Sequence, residues 1–545
     1  MSSKVAQYLN EHLLGEVTTN EHVRKQYATD GSVLRIVPDM IIYPRTTSDI
    51  RKVARFSWQL AEKGHKLPIT VRGGGTDQTG AAIGSGVILD VRAHMNTIFE
   101  LDVKQRLVRV QPGVTFKALN DALRLQGFRI PSYPQSQAYS TIGGAIANNA
   151  GGVLSGKYGA TGEWIHQLEV ILSNGEVLQT GRVSKRDLNK KKGLQTFEGE
   201  LYRNVDNLLT DNASLIEKLA VDGRDNAGYN VVDVSRRDGS VDLTPLVVGS
   251  QGTLGIISEI IMKVQPIPEY PLVGALAFPD HDAARDALDV LRALDPSVLE
   301  LIDGRMFEAA ADRGKSYAFY DEAVDQGGVA AVVVVEYDQQ GEYAKKKITK
   351  KIEKLFEKQQ AYIALERKPE TGDELRALVQ ASVLPLLPEK PEQSVPQILE
   401  GAYIPQERLE DFAKAVETLE TKNHVALPLC GHAGEHIYYV RRQLDFHKVG
   451  DRQKVFKLLA EWSAAVFAHG GSLIGMSGEG RLKAAFAYKD LDDDVKELYT
   501  SIRDLFDPLG FLNTGVKQAV ELKKLAGDFR ADYDGSDFAQ YAVTE

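Results

Sequence analysis

The chain has 545 residues, too many for one compact core, and should divide into two or more domains. Its 43% hydrophobic and 26% charged residues suit a folded protein, and a net charge of -10 excludes nucleic acid as a general partner. One cysteine, Cys430, excludes a disulfide framework and a cysteine-built zinc site; with no bilayer-length apolar run and no signal-peptide pattern, the expectation is a soluble cytoplasmic protein.

In chain order, the first 30 residues read as short helices. "VPDMIIYPRTTSDIRKVARFSWQLAEKG" then predicts a strand, a proline turn and a helix capped by Ser48, with Ile50, Val53, Ala54 and Phe56 on its apolar face. "KLPITVRGGGTDQTGAA" is a strand running into a glycine loop. The long, charge-poor stretch "PSYPQSQAYSTIGGAIANNAGGVLSGKYGATG" reads as a functional loop, since loops beyond about 15 residues are rarely idle. A hairpin with an Asn-Gly turn follows in "EWIHQLEVILSNGEVLQTG", and "PLVVGSQGTLGIISEIIMKVQP" reads as a strand pair broken by glycines. Near residue 270 the pattern changes to helices of 12 to 20 residues alternating with apolar strands such as "GVAAVVVVEYD", with an acidic loop at 386–401. The basic stretches 185–193 and 345–354 read as solvated faces; a peripheral membrane contact through them rests on charge alone.

Glycine-rich loops let backbone N–H groups approach phosphate oxygens, because no Cβ blocks them. "RGGGTDQTG" (72–80) and "TIGGAIANNAGG" (141–152) qualify, although neither holds G-x-G-x-x-G. "GGVLSGKY" (151–158) fails as a P-loop, since Tyr158 stands where Ser or Thr must hold magnesium.

The ordered segments "YPRTTSDI", "VRGGGTDQTG", "QPGVTFKALNDAL", "TIGGAIANNAGG", "KYGATGEWI" and "VVGSQGTLGIISE" resemble the FAD-binding domain of the vanillyl-alcohol oxidase superfamily, or p-cresol methylhydroxylase type, over residues 35–268. "DPLGFLNTGVK" (507–517) resembles the tail of its D-lactate dehydrogenase and glycolate oxidase branch. The resemblance implies an α+β protein: a two-subdomain FAD-binding domain (1–270), an α/β cap domain (271–500) and a C-terminal segment (501–545) returning to the FAD domain. It implies that Arg72, Gly73, Gly74, Gly75, Thr76, Thr79 and Gly80 wrap the pyrophosphate. Thr141, Gly143, Gly144, Asn148, Asn149 and Gly151 would line the ribityl and flavin side, Ile257 would meet the adenine by its backbone, and Asn513 would join the cofactor site. No histidine lies in 72–80 and no cysteine in the second loop, so the FAD is expected to be non-covalent.

The branch holds a divalent metal with histidines and a glutamate in G-H-x-G-D-G-N-x-H and G-E-H-G-x-G-R motifs. In "GHAGEHIYY" (431–439) His432 matches, but Ile437 replaces Asn and Tyr439 replaces the second His. In "GMSGEGRLK" (475–483) Met476 and Ser477 replace two further ligands, so no metal is expected. His436, flanked by glycine and β-branched residues, reads as part of a strand edge. The arginine that clamps a substrate carboxylate is also missing from "DELRALVQASV" (373–383), where Arg376 sits one turn too early; Arg481 and Lys483 remain as anion contacts. His432 is the first choice of base, with Tyr439 and Arg481 as further catalytic candidates, while Glu479 is placed to pair with Arg481. Three readings stay open. One is an FAD-dependent oxidase or dehydrogenase of a small hydroxylated substrate, without metal and with its electron acceptor undefined. The others are a D-2-hydroxy acid dehydrogenase that recognises carboxylate by other means and a flavin-binding module that has lost catalysis.

Overall fold

In the computed structural model, a four-stranded and a five-stranded sheet come first and a seven-stranded one follows, with three two-stranded ribbons besides among the described residues. The structure describes residues 2–220, 225–339, 341–357, 360–382, 393–394, 398–441, 444–445, 448–489 and 491–530. Most of the expected acidic loop at 386–401 and the end of the 501–545 segment lie outside them.

Strands β1 (Glu16–Thr18), β2 (Met40–Tyr43), β3 (Ile69–Arg72) and β4 (Val87–Asp90) form a sheet in the order β1-β2-β4-β3. β4 runs parallel to both β2 and β3, and its four residues are all buried, as befits a strand covered on both faces. Helix Thr47–Glu62 covers this sheet with Ile50, Val53 and Ala54. Its cap is Thr46 rather than Ser48: the Thr46 Oγ1 accepts the Asp49 N–H at 3.2 Å, which leaves Ser48 inside the first turn.

The second sheet joins β5 (Ile98–Asp102), β6 (Leu107–Val110), β7 (Ile165–Ile171), β8 (Val177–Gln179) and β9 (Ile256–Lys263) in the order β5-β6-β9-β7-β8. The Asn174-Gly175 turn links β7 and β8 as expected. Two expectations fail here. The stretch around 142 is helical, because Thr141 caps Ile142–Asn148 and Asn149 ends it in the left-handed region at φ 46°. The expected strand pair in 245–266 contributes one long strand, β9. Pro245 starts the short helix Thr244–Val247, and Gly249, Gly252 and Gly255 turn the chain with positive φ.

From residue 272 the cap mixes helices with a seven-stranded sheet: β10 (Leu272–Phe278), β11 (Val298–Asp303), β12 (Ala331–Tyr337), β13 (Tyr362–Glu366), β14 (Leu399–Tyr403), β15 (Leu429–His432) and β16 (Ile437–Val440). Their order is β13-β10-β12-β11-β15-β16-β14, and every paired register is antiparallel. Alternate residues separate two cores: Val273, Ile302, Val334, Cys430 and Tyr439 face one way, and Leu299, Leu301, Val333 and Tyr438 the other. The basic stretch 185–192 is a helix whose Lys191 and Lys192 pair with Glu198 and Asp206. The other belongs to helix Glu342–Phe356, where Lys346, Lys347, Lys350 and Lys351 are exposed. Among the described residues no helix is long and apolar enough to cross a membrane.

Two contacts fix the cap on the first half. Gly156, in helix Ser155–Tyr158, meets Gly434 so closely that a Cβ on Gly156 would stand 2.8 Å from the Gly434 backbone. Farther along, the Glu479 carboxylate accepts the Gly228 N–H and pairs with Lys517 at 2.7 Å, both side chains being fully buried. Glu479 therefore pairs with Lys517 and not with Arg481. Breaking a buried pair strands a charge, so Lys517→Met should cost about 3–5 kcal/mol. The double variant Glu479→Gln/Lys517→Met should lose less than Lys517→Met alone. Denaturant unfolding of both checks this, and an unchanged midpoint for the single variant would refute it.

Candidate active site

The glycine loops meet along a cleft between the four-stranded and five-stranded sheets. Of the expected cofactor contacts, Gly73, Gly74, Gly75, Thr76, Gly143, Gly144, Asn148 and Ile257 line it. The N–H groups of Gly73, Gly75 and Thr76 find no protein acceptor among the described residues, so they are donors awaiting an anion. Side chains are missing where a ligand would lie: a Cβ on Gly252 would meet nothing within 4 Å, and one on Gly144 only the Thr141 Oγ1 at 3.1 Å. Val71, Val91, Pro112 and Ile257 supply apolar wall. This donor set and shape fit a dinucleotide with a flat ring system. None of the lining residues is a histidine, cysteine or tyrosine, the usual points of covalent attachment. Asp77, Ser250, Gln251 and Gly255 also line the cleft and were missed, although "GSQGTLG" had already marked the last three.

The remaining expected contacts stand behind the wall. Arg72 donates to the Thr29 and Ala82 carbonyls and lies over the Tyr27 ring. Thr79 bonds Asp77 through its side chain and accepts the Arg481 N–H with its carbonyl, and the Gly80 carbonyl accepts from the Arg481 guanidinium. Thr141 caps its helix; Asn149 bridges Asn226 and the Gly162 N–H; the Gly151 N–H reaches the Met476 carbonyl at 3.4 Å. Asn513 donates to the carbonyls of Ala81 at 2.9 Å and Gln251 at 2.7 Å. Arg481, expected beside His432, is instead drawn to Gly80, the Thr514 carbonyl and the Asn513 Oδ1.

"GHAGEHIYY" is a tight hairpin. β15 ends at His432, a short 3-10 turn spans Ala433–Glu435, His436 takes the left-handed region at φ 59°, and β16 begins at Ile437. His436 thus makes the turn rather than a strand edge; it contacts Gln406 at 3.2 Å, and burial lowers its pKa to about 4. Cross-strand pairing sets Glu300 of β11 opposite His432, whose Nδ1 lies 2.7 and 2.9 Å from the two carboxylate oxygens. Both side chains are buried, and the His432 Nε2 has no partner. Burial raises the Glu300 pKa. Burial alone would lower that of His432, but the charge and hydrogen bond of Glu300 outweigh it and leave the imidazole above its ordinary 6.5. Glu300 was not among the expected residues, though a carboxylate between two leucines of the apolar strand "VLELID" was its signal.

On the same sheet face, the Tyr439 ring lies 5.5 Å from the imidazole, and its hydroxyl reaches the Ser382 Oγ at 3.4 Å. Burial pushes this phenol's pKa far up, so it stays protonated. Arg441 stacks on Tyr439, its guanidinium carbon 4.4 Å from the ring centre, and its Nε donates to Glu400 at 2.8 Å. Arg376 is unavailable for such work, being held bidentately by Glu336 at 2.6 and 3.0 Å. A divalent metal does not suit this donor set: Ile437, Tyr439, Met476 and Ser477 occupy the motif positions and Glu300 already holds the His432 Nδ1. Among the described residues no three His, Cys, Asp or Glu side chains gather as a metal-binding group.

A methyl group on Gly144 would enter the cleft while sitting at an ordinary helical position. Gly144→Ala should therefore change apoprotein stability by no more than about 1 kcal/mol, helix propensity opposing the close Thr141 contact, yet weaken FAD binding through overpacking by about 1–3 kcal/mol. Thermal melts and cofactor titration of the apoprotein check the split; unchanged FAD affinity would remove the cleft from consideration.

Residues 38–181 match the family described as "FAD binding domain", and residues 267–516 match "FAD linked oxidases, C-terminal domain". The chain is 28% identical to glycolate oxidase subunit GlcD of Bacillus subtilis, covering 90% of each. It is 28% identical to D-2-hydroxyglutarate dehydrogenase of Haemophilus influenzae over 96% of this chain, but spans only 53% of that protein's length. Among solved structures, p-cresol methylhydroxylase superposes with a TM-score of 0.69 at 15% identity, covering 95% of this chain and 96% of that one, a likeness of fold. The fold, the cleft and both matches agree: the chain joins an FAD binding domain to an FAD linked oxidase C-terminal domain in a p-cresol methylhydroxylase-like fold, and belongs to the FAD-linked oxidoreductases.

Proposed function

We propose that the protein oxidises the CH–OH group of a small 2-hydroxy acid to the 2-oxo acid, with non-covalent FAD, without a metal, and with His432 as the base. The observation that carries this reading is the buried Glu300–His432 pair with its unpartnered Nε2. The names of the relatives, glycolate oxidase, D-2-hydroxyglutarate dehydrogenase and D-lactate dehydrogenase, favour a hydroxy acid over other hydroxylated molecules.

FAD, which Gly73–Thr76, Gly143, Gly144 and Asn148 would hold, would supply an acceptor for the two electrons of the substrate's C–H bond. The chain supplies the proton chemistry. With Nδ1–H donating to Glu300, the His432 Nε2 presents a lone pair that accepts the hydroxyl proton as the carbon–oxygen double bond forms. Glu300 fixes the tautomer and stabilises the imidazolium that results. Tyr439, protonated and buried, walls the site and keeps water from His432. Arg481 and Asn513 position the cleft loops and do not reach the substrate.

The test is anaerobic mixing of the FAD-loaded protein with glycolate, D-lactate and D-2-hydroxyglutarate, following loss of the oxidised flavin's colour. At least one acid should bleach it, and His432→Gln should slow bleaching about 10²–10⁴-fold with FAD still bound. A flavin left oxidised by every acid would sink the proposal and favour the catalytically silent reading. Because the His432 pKa is raised, the base form appears only as pH rises through a value above 6.5, so kcat/KM should climb across that limb. In Glu300→Gln the raising partner is gone and burial dominates, so the limb should move to lower pH; a pH–rate profile that stays put would contradict the pairing.

A further inference from the structure

The sequence offers no arginine at the position where the branch clamps a substrate carboxylate, and Arg376 is consumed by Glu336. We propose that Lys483 and Arg441, joined through Glu400, form a carboxylate-binding site built independently of that helix. This rests on the hydroxy-acid reading above and names the group that the site recognises.

Lys483 is 4% exposed, yet its ammonium donates only to main-chain carbonyls, those of Glu400 and Leu473, and among the described residues no carboxylate lies within ion-pair distance. A buried cation without a counter-charge is costly, and burial accordingly draws its pKa down to about 8. Glu400 connects it to a second cation. Its carbonyl accepts from Lys483, while its carboxylate accepts from the Nε of Arg441, itself 6% exposed. Arg441 thus has its carboxylate in Glu400, whereas Lys483 has none, and an incoming carboxylate would give it one.

Location supports the same conclusion. Arg441 lies over Tyr439, and Tyr439 borders His432, so the contacts run without a break from the ammonium to the imidazole. The outer edge of the Arg441 guanidinium reaches across to Gln135 of the first half at 3.4 Å, a long contact that a carboxylate would outcompete. Lys483 lies two residues beyond Arg481, which bonds the Thr79 and Gly80 carbonyls of the glycine loop, and so stands at the seam between cleft and cap.

The experiment compares oxamate, an unreactive carboxylate, with the uncharged oxamide, by calorimetric binding to the FAD-loaded protein. Wild type should prefer oxamate. Lys483→Gln, which keeps a donor for the carbonyls and orphans no carboxylate, should weaken oxamate about tenfold to a hundredfold, the range of one charge-assisted hydrogen bond. Arg441→Lys keeps a partner for Glu400 but loses the planar fork, and should also lose oxamate affinity; it decides the matter alone should Lys483→Gln lose FAD. In parallel, KM for the acid that bleaches the wild-type flavin should rise more than the saturating rate falls. Full FAD content with unchanged oxamate affinity overturns the carboxylate site alone. A wild-type flavin inert to every acid overturns the proposed function and this inference with it.

Discussion

One buried amide holds the cofactor cleft in shape. Asn513 adopts the left-handed region at φ 37°, where asparagine is tolerated better than most residues. From there its Nδ2 bonds the Ala81 and Gln251 carbonyls, and its Oδ1 accepts from the Thr70 hydroxyl and from Arg481. These partners belong to β3 and its glycine loop, to the loop before β9, and to the cap loop that carries Lys483. The side chain stands on a segment whose backbone extends the first sheet beside Ile69. The C-terminal segment therefore closes the cleft, and the glycine loops keep their open amides because a separate element holds them apart.

The cap is positioned with equal economy. Gly156 against Gly434 brings the two backbones together beside the hairpin that ends in His432, and Glu479 with Lys517 pins the far end of the same boundary. Between these points β11 carries Glu300, β14 carries Glu400 and β15 ends in His432, with Arg441 just after β16, all of them buried polar or charged groups in apolar surroundings. Packing against the cleft is thus done by glycine, and chemistry by the few polar residues that the sheet turns toward one face.

Much of this was visible in the sequence. Glycine has so few reasons to cluster that the two loops pointed to the cleft, and Gly73, Gly74, Gly143 and Gly144 stand where the loops implied. Direction was harder. Arg481 lies two residues from Lys483 in a motif, and only folding decides that its guanidinium meets carbonyls on the cleft side. Glu300 is 132 residues from His432, and strand pairing alone unites them. The helix at 142–148 was hidden by its glycines, because a cap at Thr141 and burial of Ile142 and Ile146 overcome their poor propensity. The strand expected in 245–266 was half lost to a proline that begins a helix as readily as it ends a strand.

The open groups on this face carry an energetic cost that a ligand would relieve. A buried polar atom without a partner costs about 1–3 kcal/mol, and a buried uncompensated cation costs more. The His432 Nε2 and the Lys483 ammonium are two such costs on one continuous patch, while Lys517 and Arg376, buried or half-buried elsewhere, have each been given a carboxylate. Leaving the first two open lowers the stability of the free protein and raises its affinity for a molecule that brings one negative group and one acidic hydroxyl, so that recognition and proton removal draw on the same unsatisfied site.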